Sequence, residues 1–331
     1  MSRLRPAMSD GVFKLILIVY TFVLLIPSSI ISNNDYFVAP NDSAYGQSDT
    51  NHIKPNVTNT TVMQEGMPTG KVRVGEIDIA YRMFGNGEPI LLISGASAGI
   101  GGWDPSTLRN LSSNHTVVVF DGRGVGNTSM GSKPFSIQQL ANDTAGLLDA
   151  LKIQKTSVLG YSLGGHIAQQ FAIEYPDKVN GLVLVATTCG GKDGIPKPPQ
   201  VIKLQSEIVN KSLYDIPITE EEIKSLTSFS LGSEWIRMHP ESIENIPDAQ
   251  DLFAIVSPNT VKQQFDMGMD WEAANWNGAC DKLAKIGKPT LAITGTDDVA
   301  YMPHANSLII AEKIPGTWLV QIKDAGHAVM S

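Results

Sequence analysis

The sequence predicts an α/β fold: a mostly parallel sheet with helices on both faces and a helical lid inserted between two of its strands. Three observations carry this. Short continuous apolar runs alternate with amphipathic helical stretches from about residue 71 to 185, the pattern of strands buried on both faces and joined by crossover helices. The alternation stops between about 189 and 285, where the spacing is helical and broken by prolines. Strand grammar then returns from 289 to 322.

Taken in order, Lys71 to Ile79 and Ala80 to Phe84 read as two strands, and Ile90 to Ile93, entered through Pro89, as a third. Val117 to Phe120 is the next apolar run. Ile137 to Leu151 has helical spacing, Ser157 to Tyr161 reads as a strand, and Ile167 to Tyr175 as a helix closed by Pro176. Leu182 to Val185 is another strand. Within the lid, Thr219 and Glu222 have the spacing of a capping box, and Ser257-Pro258 sets a cap before a proline at the first helical position. Pro289 to Thr294 is a strand, a helix follows around Asn306 to Lys313, and Trp318 to Ile322 is the final strand.

Composition limits what this fold can serve. The 331 residues are 42% hydrophobic and 18% charged, enough for a full core. A formal charge of −8, with no block of Lys and Arg, excludes a nucleic-acid partner. The 2 cysteines, Cys189 and Cys280, exclude a disulfide-built scaffold and a four-cysteine zinc site. They leave two readings open, one bridge closing a long loop or two buried thiols.

Ahead of the folded domain, residues 1–31 read as a signal peptide or an uncleaved membrane anchor. Arg3, Arg5 and Lys14 precede the uncharged run Leu15 to Ile26, then Pro27, Ser28 and Ser29. If the apolar segment extends over 12–31 it reaches about 20 residues, long enough to tether the chain to a membrane. Residues 32–69 are rich in Asn, Asp, Ser, Thr, Gly and Pro and read as a disordered polar linker. Acceptor sequons at Asn41, Asn56 and Asn59, and further on at Asn110, Asn114, Asn127, Asn142 and Asn210, lean the same way, toward a secreted or membrane-anchored protein outside the cytoplasm. The folded domain is expected over 70–331, with its lid at about 189–285.

One short stretch carries the chemistry. In Gly160-Tyr161-Ser162-Leu163-Gly164 a serine stands between glycines, with a strand before it and a helix after it. This is the G-x-S-x-G elbow in its required context. The glycines make room for a strained turn that lifts the Ser162 hydroxyl above the carboxyl ends of the strands, at the amino end of the next helix. A helix-capping serine is the competing explanation.

At this point the chain resembles the α/β-hydrolase superfamily, in particular its lid-bearing esterases, lactonases and cofactor-free haloperoxidases. The resemblance runs from about Val72 to the end and is carried by "ILLISGASAG", "VVFDGRGVGNTS", "VLGYSLGGHIAQQFAIEYPDKVNGLVLV", "PTLAITGTDDVAYMP" and "IKDAGH". The family order of nucleophile, acid and base falls on Ser162, Asp298 and His327. His327 follows a strand and Gly326 where the family carries its base. The other histidines, His52, His115, His166, His239 and His304, have solvated or structural readings. Between adjacent carboxylates, the family pattern, in which the acid stands three residues after the strand-ending glycine and a few before a proline, implies Asp298 from Gly295 and Pro303, with Asp297 as the fallback. The resemblance puts the oxyanion donors on the amides of Leu163 and Ala96. Many relatives carry His-Gly before the latter donor; this chain has Ser94-Gly95.

The remaining motifs have plainer readings. "GASAGIGG" lacks both the G-x-G-x-x-G spacing and the Walker lysine, which argues against a nucleotide. Asp121 and Arg123 read as support for a tight turn. Phe265, Met267, Met269, Trp271 and Trp276 fit either an acyl pocket or the packing of the lid.

The resulting expectation is a serine hydrolase for a small-molecule ester or lactone, with neither a metal nor an organic cofactor. Two alternatives are a cofactor-free perhydrolase or haloperoxidase-type activity with the same triad, and a non-catalytic hydrolase-like surface protein with a truncated C-terminus. The latter arises because relatives continue past the histidine with a helix, whereas Ala328, Val329, Met330 and Ser331 follow it here. The sheet face near Trp318 to Ile322 is therefore expected to be uncovered and open to self-association.

Overall fold

The computed structural model describes residues 69–244, 255–276 and 278–330. The expected signal or anchor over 1–31 and the linker up to 68 lie outside the described residues. The chain enters through an antiparallel hairpin, β1 (Gly70–Val74) and β2 (Ile77–Phe84). The break between these strands falls at Gly75-Glu76 rather than after Ile79. Gly75 has φ of 56°, a left-handed conformation that glycine adopts without a β-carbon clash, so it closes the hairpin where the apolar alternation shifts phase between Val74 and Ile77.

Then come β3 (Glu88–Ile93), helix α1 (Pro105–Ser112), β4 (His115–Phe120), α2 (Ile137–Ala150), β5 (Thr156–Tyr161), α3 (Leu163–Glu174) and β6 (Val179–Val185). Helix α1 was not among the expected elements. Its signal is local: Asp104 accepts a hydrogen bond from the Thr107 amide, and Pro105 holds the first helical position. After β6 the chain leaves the sheet for the lid helices α4 (Pro199–Leu213), α5 (Glu220–Leu231), α6 (Ser233–Met238), α7 (Glu241–Glu244) and α8 (Pro258–Glu272). The capping box at Thr219 and Glu222 opens α5, and Ser257 caps α8. Strand β7 (Thr290–Gly295), α9 (Ala305–Lys313) and β8 (Trp318–Ile322) return to the sheet.

The eight-stranded sheet has the order β1-β2-β4-β3-β5-β6-β7-β8. Pairing is antiparallel for β1 with β2 and β2 with β4, and parallel from β4 through to β8. Alternation along the strands divides the core. Leu91, Ile93, Val118, Phe120, Val158, Leu182 and Leu184 face one side, where α2, α3 and α9 pack. Ile90, Leu92, Val117, Val119, Leu159, Val183 and Val185 face the other, with Leu108 and Leu111 of α1. Neither edge strand, β1 or β8, has a fully buried residue; Trp318 is 44% exposed, while Val320, Ile322, Val329 and Met330 are half-buried against the core of the second face.

A disulfide joins Cys189 to Cys280, which lie 91 positions apart in sequence. It ties the point where the chain leaves the sheet for the lid to the 3₁₀ turn (Cys280–Lys285) through which it returns. Of the two readings open for these cysteines, the bridge is the one observed.

Candidate active site

Strand β5 delivers Ser162 to the carboxyl edge of the sheet in a conformation few side chains adopt, φ 55° and ψ −120°. Such a backbone costs about 1–3 kcal/mol in a non-glycine residue and persists only where its surroundings enforce it. Here the Ser162 amide donates to Val185 O at 2.9 Å, while its carbonyl accepts from the Gly165 amide at 2.8 Å and from Thr187 Oγ1 at 2.9 Å. The flanking glycines allow strand and helix to approach closely. A β-carbon on Gly160 would lie 2.4 Å from Gly164 O, and one on Gly164 only 2.0 Å from Ile93 O. Ser162 caps nothing, since its side chain makes no capping bond to α3.

The hydroxyl turns toward His327 instead. Ser162 Oγ lies 2.9 Å from His327 Nε2, and His327 Nδ1 lies 2.7 Å from Asp298 Oδ2. Asp298 is fully buried, and its Oδ1 accepts from the Met302 amide at 3.0 Å, so the carboxylate is held at both oxygens. His327 is 5% exposed and its ring contacts two phenol rings, with centroids 5.3 Å away at Tyr161 and 5.1 Å at Tyr301. The Tyr161 hydroxyl donates to His327 O at 3.2 Å, and the Tyr301 hydroxyl to Leu226 O at 3.3 Å. Burial, and then the nearby Asp298 charge, raise the Tyr161 phenol far above its ordinary range, so it stays a donor.

Asp297 has a different partner. Its Oδ2 accepts from the Ser233 amide, from Ser233 Oγ at 2.8 Å and from the Glu234 amide at 3.3 Å, which caps α6 of the lid. The histidine loop meets the same stretch, where Gly326 N donates to Leu231 O and Ala328 N to Ser230 O.

The expected oxyanion donors adjoin the serine. Leu163 follows it directly and opens α3. Ala96 lies in the turn after β3, where a β-carbon on Gly95 would come within 3.4 Å of Ser162 Cβ. Among the described residues neither the Leu163 nor the Ala96 amide has a hydrogen-bond acceptor. In place of the His-Gly of relatives, Ser94 Oγ closes the turn by donating to Ala98 O at 2.7 Å.

This constellation can activate a hydroxyl, hold the imidazolium formed when its proton moves, and accept a developing negative charge. Among the described residues no cluster of His, Cys, Asp or Glu is arranged to hold a metal ion.

A family model described as the alpha/beta hydrolase fold matches residues 88–331. The chain belongs to the α/β-hydrolase family. A poly(3-hydroxyalkanoate) depolymerase of Ectopseudomonas oleovorans is 29% identical over 247 residues, 72% of this chain and 77% of that protein. A 2-hydroxy-6-oxo-6-phenylhexa-2,4-dienoate hydrolase of Comamonas testosteroni is 24% identical over 279 residues, covering 81% and 92%. Among solved structures, a thermophilic esterase of Thermogutta terrifontis superposes with a TM-score of 0.62 at 28% identity, over 78% of this chain and 91% of that one.

Within this α/β hydrolase the other singled-out residues lie outside the serine constellation. Arg123 is 2% exposed and grips both oxygens of Asp143 at 2.7 and 2.8 Å, with Glu76 Oε1 at 2.9 Å. Hydrogen bonds from Ser132 and the Lys133 amide, followed by Arg123, bring Glu76 down to about 2. Asp121 accepts from the amides of Ile100 and Asn127. These are turn supports. His166 is fully buried with its ring stacked on Trp271, at a centroid distance of 5.1 Å. His115 Nδ1 donates to Leu111 O, His239 adjoins Glu241, and His304 precedes α9. Met267 and Trp271 belong to the main core, with Trp276 packed against it, and these three also line an open cavity of about 560 Å³ whose lining does not include Ser162; Met269 is half-buried, and Phe265 packs on a small cluster around Val125 and Val261. The residues that sequence reasoning missed are Tyr161, Tyr301 and Gln264. Tyr161 and Tyr301 were readable as chain neighbours of Ser162 and Asp298, but Gln264 is close to the site only because the chain folds back on itself.

Proposed function

We propose that this α/β hydrolase is a serine hydrolase that cleaves a carboxylic ester or lactone through an acyl-enzyme. One observation carries the reading: the continuous hydrogen-bonded line from Ser162 Oγ through His327 to Asp298, at 2.9 and 2.7 Å. Ser162 Oγ attacks the substrate carbonyl carbon as His327 Nε2 takes its proton. The carbonyl oxygen, now negative, accepts from the Leu163 and Ala96 amides. Collapse expels the alcohol, which takes the proton back from His327, and the acyl group remains on Ser162. Water then repeats the sequence with His327 as base, and the acid is released. Asp298 holds Nδ1 protonated throughout, keeping Nε2 free to accept. The relative named an esterase supports an ester as the bond attacked.

The test is labelling of the purified protein with a fluorophosphonate, together with turnover of p-nitrophenyl esters of increasing chain length and of simple lactones. Stoichiometric labelling at Ser162 with water-dependent turnover is expected; a protein that neither labels nor turns over any member is not a serine hydrolase. Peroxide-dependent turnover exceeding hydrolysis would favour perhydrolase chemistry instead.

The same proposal includes life outside the cytoplasm. The Cys189–Cys280 bond supports it, since such bonds persist mainly in oxidising compartments, and so does the apolar run Leu15 to Ile26. Fractionation of the host with intact-mass analysis tests it; full-length protein soluble in the cytoplasm would overturn it.

A further inference from the structure

The turn that presents Ala96 is not self-supporting. Ser97 has φ of 56°, a left-handed conformation that favours glycine, and the Ala98 amide reaches back to Gly95 O at a long 3.4 Å. A non-glycine residue at such a position relaxes unless something outside the turn holds it. That restraint comes from the lid. Gln264, on α8 and 7% exposed, accepts from the Ser97 amide at 2.7 Å through Oε1, with Ser97 Oγ 3.5 Å from the same oxygen. A backbone N–H can only donate, so the amide oxygen of Gln264 must face it.

Helix α8 is itself fixed against the domain one turn earlier. Thr260, four residues before Gln264 and so on the same helix face, donates through Oγ1 to Gly124 O at 3.2 Å, and Gly126 N donates to Ile255 O at 2.8 Å just ahead of the helix. A cavity of about 30 Å³, with room for about one water, lies beside this contact, and Ser94, Gly95, Leu163, Arg123 and Gln264 are among the residues lining it. Leu163 and Gly95, the residue before Ala96, therefore line a space to which the lid contributes Gln264.

We infer that Gln264 is a positioning residue for the oxyanion hole: through the Ser97 amide it holds the strained turn in the one conformation that aims the Ala96 N–H at the reacting oxygen. This rests on the serine-hydrolase reading above. It makes the lid part of the catalytic apparatus as well as a cover, because displacement of α8 releases the turn. The effect belongs to the transition state, where the oxygen becomes negative, and only weakly to substrate binding.

The test compares wild type with Gln264→Leu, which removes the acceptor and fills the space against a replacement water, and with the double variant Gln264→Leu/Ser97→Gly. Loss of one oxyanion donor costs about 10²–10³ in kcat, so a misaimed one is expected to cost about 10- to 100-fold with KM nearly unchanged. Affinity for a trifluoromethyl ketone, which forms a tetrahedral adduct on Ser162, should fall in parallel. Glycine at 97 adopts positive φ without strain, so the double variant should recover most of the lost kcat. End-point fluorophosphonate labelling and thermal unfolding establish that each variant is folded. Unchanged kcat in a folded Gln264→Leu protein, a loss confined to KM, or no recovery with Ser97→Gly would overturn the inference. If Gln264→Leu does not fold, Ser97→Pro, which cannot donate an amide hydrogen to Gln264 or adopt positive φ, must lower kcat in the same way, and unchanged kcat there overturns it. Failure of the underlying reading is distinguishable because it appears in wild type, which would then neither label nor turn over.

Discussion

Asp297 and Asp298 are neighbours in the chain with opposite duties. Asp298 Oδ2 lies 2.7 Å from His327 Nδ1, whereas Asp297 Oδ2 turns to the other side and accepts from the Ser233 and Glu234 amides at the start of α6. One carboxylate orients the imidazole. The other fastens the lid beside the loop that carries it, where Gly326 N also donates to Leu231 O.

The two asparagine variants should separate these duties. Asp298→Asn is expected to lower kcat by about 10³–10⁴, because an amide that donates to Nδ1 favours the wrong tautomer. Asp297→Asn should keep kcat within about tenfold while costing about 0.5–2 kcal/mol of stability, the usual range for a weakened cap. Steady-state kinetics and denaturant unfolding of both proteins check this, and reversal of the pattern would exchange their roles.

Strain at Ser162 predicts an exchange of activity for stability. Ser162→Ala and Ser162→Gly should both abolish ester turnover. The glycine variant should nevertheless be the more stable of the two, since φ 55° with ψ −120° costs alanine about 1–3 kcal/mol and glycine little. Thermal unfolding decides it. An alanine variant that is the more stable would mean the elbow relaxes when the hydroxyl is lost.

The Cys189–Cys280 bond closes a loop containing the whole lid. Removing it through Cys189→Ser/Cys280→Ser is expected to cost about 2–5 kcal/mol. Both cysteines are nearly inaccessible, at 0% and 3% exposure, so a mild reductant should leave the native enzyme untouched and act only once it unfolds. Denaturant midpoints with and without reductant, set beside native activity in reductant, test both halves.

Stability should also fall in mild acid because of His166. Burial first, then the charges of Lys197 and His327, hold this imidazole well below 6.5, and among the described residues neither ring nitrogen has a hydrogen-bond partner. The unfolded chain therefore takes up a proton below about pH 6.5 that the folded one refuses, so stability is retained above that pH and lost as pH falls through it. One such group contributes up to about 1.4 kcal/mol per pH unit. His166→Phe, which keeps a ring against Trp271, should flatten the dependence between pH 7.5 and 5. Equal slopes in variant and wild type would assign the acid sensitivity elsewhere.

Much of this architecture was legible in the chain because its signals are local. Glycines around Ser162, apolar runs of strand length, the cap at Thr219 and the proline after Ser257 each act within a few residues, and each element formed where they stood. Local signals also explain the slips. The phase shift between Val74 and Ile77 marks the Gly75 turn only weakly, because apolar residues continue on both sides, and the Asp104-Pro105 start of α1 stands beside a conspicuous glycine-rich loop.

By itself, then, the sequence determined the order of strands and helices, the elbow at Ser162, and a short set of candidates for its partners, since these depend on periodicity and on backbone freedom within single turns. Only the tertiary structure decided which candidates meet. It closed Cys189 onto Cys280, separated Asp298 from Asp297, set the rings of Tyr161 and Tyr301 against His327, and brought Gln264 to a turn 167 residues away in sequence. The physical reason is that a hydrogen bond or a ring contact depends on positions within fractions of an ångström, and between distant segments those positions follow from how the whole sheet and its lid pack.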